Sequence, residues 1–532
     1  MKSPWDRATA ALLLLVALLI AATFRDYGLS WDEPFHIEYG ARLLRYYTSW
    51  GADTSAFHYI NLYLYGGLFD APVALLVKWL PFDLIDSRHL LIALTGLLGI
   101  IGSWRLARLL AGPRAGFSAA LLLVTMPGWY GHMFINPKDI PFAVTMIWAT
   151  YALARLLRQL PVVAWRDVLL FGLFAGAAMG MRIGGVLIFA YLGAALGLWF
   201  MLAWLWRRGP LLPLLRQSWS LLPQLLVGVA VAYGVMVIVW PWALSAPLLH
   251  PYEALTTFSR FPFSTPVLVE GEWLKSTELP IDYLPLMILV KVPLLHLLLL
   301  AALVPLAGRG LRRLREQVQQ GDASWLPWSV TLIALLLPIV YVLLSRPVLY
   351  NEMRHFLFVL PPLAVLAGVS LDRLGSYLWR SVRVERTLIT LLLVAYMASH
   401  LVSMARLHPY QYVAYNSAVG GISGAQRLFE LDYWSTSLRE VYAELKQQLR
   451  RREGEAALHR PWRIRICGAP EVSLYYFEPE WQPLWIGATG EADFEVGSSG
   501  HACPPPTGPL MVEVRRDGAL LGYARDLRRT TP

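Results

Sequence analysis

The run Ser30-Trp31-Asp32-Glu33-Pro34 follows directly on an apolar stretch. Adjacent carboxylates at an apolar boundary suit proton-transfer chemistry, one acting as base while its neighbour orients an acceptor or holds a metal. The same spacing also fits helix capping. Asp32 as N-cap would place Pro34 in the first turn, where proline is tolerated. A Ser30/Glu33 capping box would instead place Pro34 where its missing N–H removes a helical bond. Asp70, in Tyr65-Gly66-Gly67-Leu68-Phe69-Asp70-Ala71-Pro72, is either a second carboxylate of one site or a cap after a glycine turn. Asn136-Pro137-Lys138-Asp139 reads as a helix start with Asn136 as N-cap, Pro137 at N1 and Asp139 at N3. Lys138 opposes the helix dipole there, so an anion is expected beside it. Asp70 and Asp139 are the further acids that could contact an acceptor or a metal. Arg182, Arg346, Arg354 and His355 are cations on the face opposite the arginine-rich loops. Arginine binds phosphate oxygens in a fork, so the set points to a lipid-phosphate site; snorkelling to headgroups is the alternative for each alone.

The elements that must position these groups are membrane spans. Of the 532 residues 56% are hydrophobic and 15% charged, against roughly 25% charged in soluble domains. That excludes a soluble enzyme and a disordered chain, and the apolar runs are too many for a single anchor. Lys2 and Arg7 precede an apolar run from Ala8 to Phe24, read as an uncleaved first helix with a cytoplasmic N-terminus. Residues 25–88 are too polar to span and form an outer loop of interfacial helices, including the piece Leu62–Leu80. Further apolar segments lie at 89–104, 115–130, 140–156, 167–181, 184–205, 220–243, 284–306, 327–345, 355–371 and 387–404, making about eleven spans in all. Alternation then puts Arg155/Arg158/Arg166, Arg207/Arg208/Arg216, Arg309/Arg312/Arg313/Arg315 and Arg373/Arg380/Arg383/Arg386 inside. The net charge of +10 is therefore read as topology and not as nucleic-acid binding.

The expected organisation is a membrane domain over 1–405, with outer loops at 25–88 and 244–283, and an outer α/β domain over 406–532. In the latter, a surface helix (Trp434 to Arg452) precedes strand-like runs at Trp462–Ile466, Ser473–Phe477 and Leu510–Val514. Cys467 and Cys503 both fall there. In an oxidising compartment they could pair, and the alternative is two unpaired core residues. No GxxxxGK[ST] loop, HExxH helix or GxSxG elbow is present, so ATP hydrolysis and zincin chemistry lack support, serine-hydrolase chemistry has little, and no nucleotide cofactor is expected.

A first helix, a long outer loop with paired acids, many spans and an outer C-terminal domain resemble the GT-C membrane glycosyltransferases. Within these the chain is similar to family 39, the protein O-mannosyltransferases and aminoarabinose transferases. The resemblance is carried by Trp31-Asp32-Glu33, Phe69-Asp70-Ala71-Pro72, Asn136-Pro137-Lys138-Asp139 and Arg354-His355 before Pro361-Pro362, and covers about 1–405. It implies a multi-pass protein of the bacterial inner membrane and a polyprenyl-phosphate-linked sugar donor. Transfer would invert the anomeric carbon on the periplasmic side, to a glycan, lipid or protein acceptor. The family's catalytic base maps onto Asp32, with Glu33 second in the pair. Arg354, Arg182, Lys138 and His355 would bind the phosphate. The family often has an acid–Lys pair before its prolines; here Asp70 stands alone, and a divalent metal stays open. Two other readings explain the spans: a flippase or transporter for a lipid-linked sugar, and a non-catalytic GT-C-like subunit.

Overall fold

The computed structural model describes residues 3–207, 219, 221–259, 261, 263–378, 380, 383–485, 490–503 and 508–528. Arg208 and Arg216, part of one arginine cluster, lie outside them.

Among the described residues, eight helices are long and apolar enough to cross a membrane: Pro4–Thr23, Leu84–Ala111, Asp139–Leu157, Ile183–Trp206, Leu222–Val239, Leu326–Ser345, Arg354–Tyr377 and Arg383–Arg406. A ninth candidate is broken, with Tyr283–Lys291 and Leu294–Pro305 set at 112° to each other. The other two apolar segments form shorter helices. Residues 115–130 divide between Pro113–Val124 and Pro127–Ile135, because Pro127 starts a new helix after Met126. Residues 167–181 form Trp165–Met179, of 15 residues; a straight span needs about 20. The chain is thus a polytopic α-helical protein with a small C-terminal sheet domain.

The first helix is opened by Ser3, whose side chain accepts from the Trp5 N–H. Its buried Asp6 takes a forked pair of bonds from Arg108, at 2.8 and 3.0 Å. Arg108 lies in the last turn of Leu84–Ala111. The start of one spanning helix is therefore tied to the end of the next, and both ends of segment 24–83 lie at the opposite end of the pair. Within that segment, Leu62–Leu80 makes only short pieces: Leu62–Leu64, Asp70–Leu76 and Val77–Trp79. The loop after Val239 carries a hairpin, β1 (Pro266–Val269) with β2 (Glu272–Lys275).

The C-terminal sheet contains β3 (Arg463–Cys467), β4 (Gln482–Trp485), β5 (Phe494–Ser498), β6 (Leu510–Arg516) and β7 (Ala519–Asp526), in the order β4-β3-β5-β7-β6. β3 lies parallel to β4 and β5, while β7 runs antiparallel to β5 and β6. The run Ser473–Phe477 is not a strand. Pro470–Tyr475 is a helix, started by Pro470, and it forms part of the crossover that parallel β3 and β4 require. The surface helix begins at Leu438 and not at Trp434, and runs to Glu453. β6 and β7 are joined by Asp517-Gly518, both at positive φ, the conformation that a two-residue hairpin turn demands. Cys467 and Cys503 are bonded, with Cα atoms 5.8 Å apart.

This domain is docked on the first loop. The Leu29 N–H donates to the Tyr476 hydroxyl at 3.0 Å, and Arg439 donates to the Tyr27 carbonyl at 2.6 Å. Gly28 allows the closest approach: a Cβ there would lie 2.2 Å from the Thr436 carbonyl oxygen. Gly28→Ala is expected to destabilise the docked domain by about 1–3 kcal/mol. The measurement is the thermal midpoint for tail unfolding together with protease release of the tail; an unshifted midpoint would show that the contact relaxes freely.

Candidate active site

The two residues that precede Asp32 are tied to other elements. The Ser30 hydroxyl donates to the Ile135 carbonyl at 2.7 Å, and the Trp31 N–H donates to the Trp434 carbonyl at 3.2 Å. The following helix runs Glu33–Thr48, with Asp32 at its N-cap position but making no side-chain cap bond. Glu33 instead folds back. One of its oxygens accepts from the Ser30 N–H at 2.7 Å, and His89 Nε2 lies at 3.2 Å. Half of a capping box thus forms, and Glu33, fully buried, is engaged by Ser30 and His89 and not by the cations that meet Asp32. The pair expected to work side by side is split: Asp32 is left free to meet other groups, while Glu33 holds the loop.

Asp32 meets two cations. Its Oδ2 lies 3.0 Å from Lys138 Nζ and 3.0 Å from Arg354 Nη1. Burial raises the Asp32 carboxyl, but the charges of Lys138 and Arg354 outweigh that and hold it well below the usual carboxylate range. Burial conversely lowers Lys138, yet Asp32 brings it above the ordinary lysine value. Lys138 is the N-cap of the Asp139–Leu157 helix, two residues later than the expected N-cap at Asn136. Asn136 still serves that start: its Oδ1 accepts from the backbone N–H of Lys138 at 3.2 Å and of Asp139 at 2.8 Å. Pro137 is therefore in the turn before the helix, and not at N1.

Asp139 is buried against Arg182, with which it forms an ion pair, and accepts from Asn136 Nδ2 at 3.1 Å. The Tyr65 ring lies beneath both neighbouring cations, 5.2 Å from Lys138 Nζ and 5.5 Å from the Arg182 guanidinium carbon. The guanidinium of Arg354 lies 4.6 Å from the Trp434 ring and 4.9 Å from Tyr350. His355 meets Tyr350 edge-on at 4.6 Å. Three cations (Lys138, Arg182 and Arg354) thus face two carboxylates (Asp32 and Asp139), leaving one positive charge in excess. Such a cluster can take up an anion, and it keeps one carboxylate ionised.

Asp70 belongs to a different group. It accepts from His36 Nδ1 at 2.7 Å and Arg88 Nη2 at 3.3 Å, all three being nearly fully buried. Asp70 and Asp139 are each engaged by cations, Asp70 by Arg88 and Asp139 by Arg182. Among the described residues no group of three or more His, Cys, Asp or Glu is arranged to hold a metal ion. Asp70→Ala is expected to cost about 3–5 kcal/mol by leaving Arg88 unpaired in the interior. The loss would appear in yield and thermal midpoint; a well-folded but inactive variant would move Asp70 into the chemistry.

Nothing in the sequence marks Tyr65 or Trp434 as a partner of cations, and only folding places their rings against Lys138, Arg182 and Arg354. A signal did exist for Lys291, an ionisable residue inside an apolar helix. Its Nζ pairs with Glu352 Oε2 at 2.6 Å, two residues before Arg354. Asn351 and Glu352 both have positive φ, strain of the kind that collects at functional sites.

Residues 71–242 match the family model described as dolichyl-phosphate-mannose-protein mannosyltransferase. The similarity to that family covers this segment of the chain. The segment carries Lys138, Asp139 and Arg182, while Asp32 and Arg354 lie outside it. ArnT from Cupriavidus metallidurans in the apo state is similar in structure at 15% identity, with 98% of this chain and 97% of that chain covered and a TM-score of 0.49. The same protein bound to undecaprenyl phosphate gives 14% identity, 98% of each chain and a TM-score of 0.48. The oligosaccharyltransferase AglB from Archaeoglobus fulgidus, in complex with an inhibitory peptide and a dolichol-phosphate, gives 12%, with 93% of this chain and 70% of that chain covered and a TM-score of 0.47. A comparison with curated proteins found no match.

Proposed function

We propose that the protein is a membrane glycosyltransferase that moves a sugar from a polyprenyl-phosphate donor to an acceptor, on the periplasmic side of a bacterial inner membrane. The observation that carries the reading is the single carboxylate of Asp32, 3.0 Å from both Lys138 and Arg354, in a cluster with excess positive charge. The family 39 match over residues 71–242 supports the same chemistry.

In the proposed step the bond between the anomeric carbon and the phosphate oxygen breaks, and its electron pair stays on the lipid phosphate. Arg354 and Lys138, with Arg182 alongside, neutralise that growing charge in a site that is already formed, which is the most effective kind of electrostatic catalysis. The acceptor hydroxyl or amine attacks from the opposite face, so configuration inverts, and its proton passes to Asp32. Glu33 acts here as a positioning residue, fixing the loop that presents Asp32.

The test uses purified full-length protein in lipid nanodiscs and vesicles with a polyprenyl-phosphate sugar. Release of lipid phosphate coupled to appearance of glycosylated acceptor supports transfer. Movement of the intact lipid across a vesicle without release would make the protein a flippase.

A further inference from the structure

Where the spanning pair breaks at Val292-Pro293, a cavity of about 350 Å³ opens between that bend, the Arg383–Arg406 helix and residues 414–421. One face of the helix lines it with Tyr396, Ser399, His400 and Ser403, spaced as neighbours on a single side. The helix otherwise lies on the outside of the bundle, with only 6% of its apolar stretch buried. Such a polar stripe at membrane depth is costly unless something polar meets it.

Part of the hydrogen-bonding capacity of that stripe is unspent, although the Tyr396 hydroxyl accepts from the Leu295 N–H at 3.3 Å. Elsewhere, helical hydroxyls such as Thr95, Ser103, Thr150 and Thr331 donate to the carbonyl four residues back. Among the described residues, the Ser399 and Ser403 hydroxyls bond to nothing. His400 Nε2 lies 2.6 Å from the Thr125 carbonyl; a carbonyl only accepts, so Nε2 donates and Nδ1 of the neutral ring is left as an acceptor. Among the described residues lining the wall, the cation is Lys291, which is neutralised by Glu352 and also donates to the Tyr412 carbonyl at 2.9 Å. Among the described residues the cavity therefore offers hydroxyl donors and acceptors and no uncompensated charge, the opposite of the Asp32–Arg354 cluster. Ser399 stands seven residues from the helix end, about 10 Å at 1.5 Å per residue. A headgroup that met it would sit below the helix end, carried there by a lipid arriving from the side.

We infer that this cavity docks a lipid-borne acceptor through an uncharged, hydroxyl-bearing headgroup such as a glycosyl or glyceryl unit. Its role as acceptor site rests on the transfer reading; binding of the amphiphile does not. The Lys291–Glu352 pair separates it from Arg354, so acceptor lipid and donor phosphate would occupy adjoining places.

The experiment photolabels the full-length protein in nanodiscs with a dodecyl β-glucoside carrying a diazirine. Labelling is expected on the peptide spanning Tyr396–Leu407 and should be displaced by excess dodecyl glucoside, but not by dodecyl phosphate or free glucose. Ser399→Leu with Ser403→Leu should cut labelling at least tenfold with an unchanged thermal midpoint, while Ser399→Thr with Ser403→Thr retains it. Undiminished labelling in the leucine variant, or displacement by dodecyl phosphate, overturns the assignment; displacement by free glucose overturns the lipid source. Release of phosphate from the donor, measured separately on the unaltered chain, reports the transfer reading. Specific labelling without that release leaves an amphiphile site in a protein that is not a transferase.

Discussion

Asp32→Asn is expected to fold like the parent and to lose sugar transfer by about 10²–10⁴-fold, the usual contribution of a positioned base. Asparagine keeps the shape and one acceptor oxygen for Lys138 and Arg354 but cannot take a proton. Asp32→Glu, displaced by one methylene, should fall between the two. The pH dependence gives a sharper test. In the free protein Lys138 and Arg354 hold Asp32 well below the usual carboxylate range, which makes it a poor base. The bound donor phosphate would share the same two cations, and the Asp32 carboxyl would then rise toward its ordinary value near about 3.9. A raised pKa means that activity is lost at a higher pH on acidification. The acid limb of kcat, which reports the complex, is therefore expected at higher pH than that of kcat/KM, which reports the free protein. Steady-state profiles with a saturating acceptor measure both. Coincident limbs would show that the phosphate does not compete for these cations, and full activity in Asp32→Asn would remove Asp32 from the mechanism.

Arg354→Ala is expected to lower kcat by about 10²–10³-fold, as loss of one preorganised donor to a developing anion does. KM should change far less, because the phosphate gains its full charge only as the bond breaks. Arg354→Lys keeps the charge but loses the planar fork and its contact with the Trp434 ring, 4.6 Å away, so most of the defect should persist. Reactivity with a better leaving group separates chemistry from folding. A donor with a more acidic phosphate needs less help and should react with Arg354→Ala nearly as well as with the parent. An equal defect for both donors would assign Arg354 a structural role only.

The charged cluster was legible in parts. The dipole at the start of the Asp139–Leu157 helix called for an anion beside Lys138, and that argument needed only neighbouring residues. Which anion it meets was beyond the sequence, because Asp32 lies in a different segment and its other partner, Arg354, is 322 positions away. Glu33 shows the reverse. Adjacent acids look equivalent along the chain, but consecutive side chains at a helix start point in different directions, and only one faces the cations. Trp434 could not be singled out, since an aromatic residue beside a cation differs in sequence from any other only after folding. In the tail, the Pro470 helix start overrode the strand-like run at Ser473–Phe477 because β3 and β4 run parallel and need a crossover.

By itself the sequence determined that the chain crosses a membrane many times and roughly where. A spanning helix satisfies its own backbone hydrogen bonds and needs only enough consecutive apolar residues, a property of one continuous stretch. The tertiary structure decided which carboxylate is poised and which is buried as a strut. It also decided which cations share an anion site and which polar helix face borders a cavity. Those outcomes depend on charges and rings brought together from remote segments, where burial magnifies each pairing.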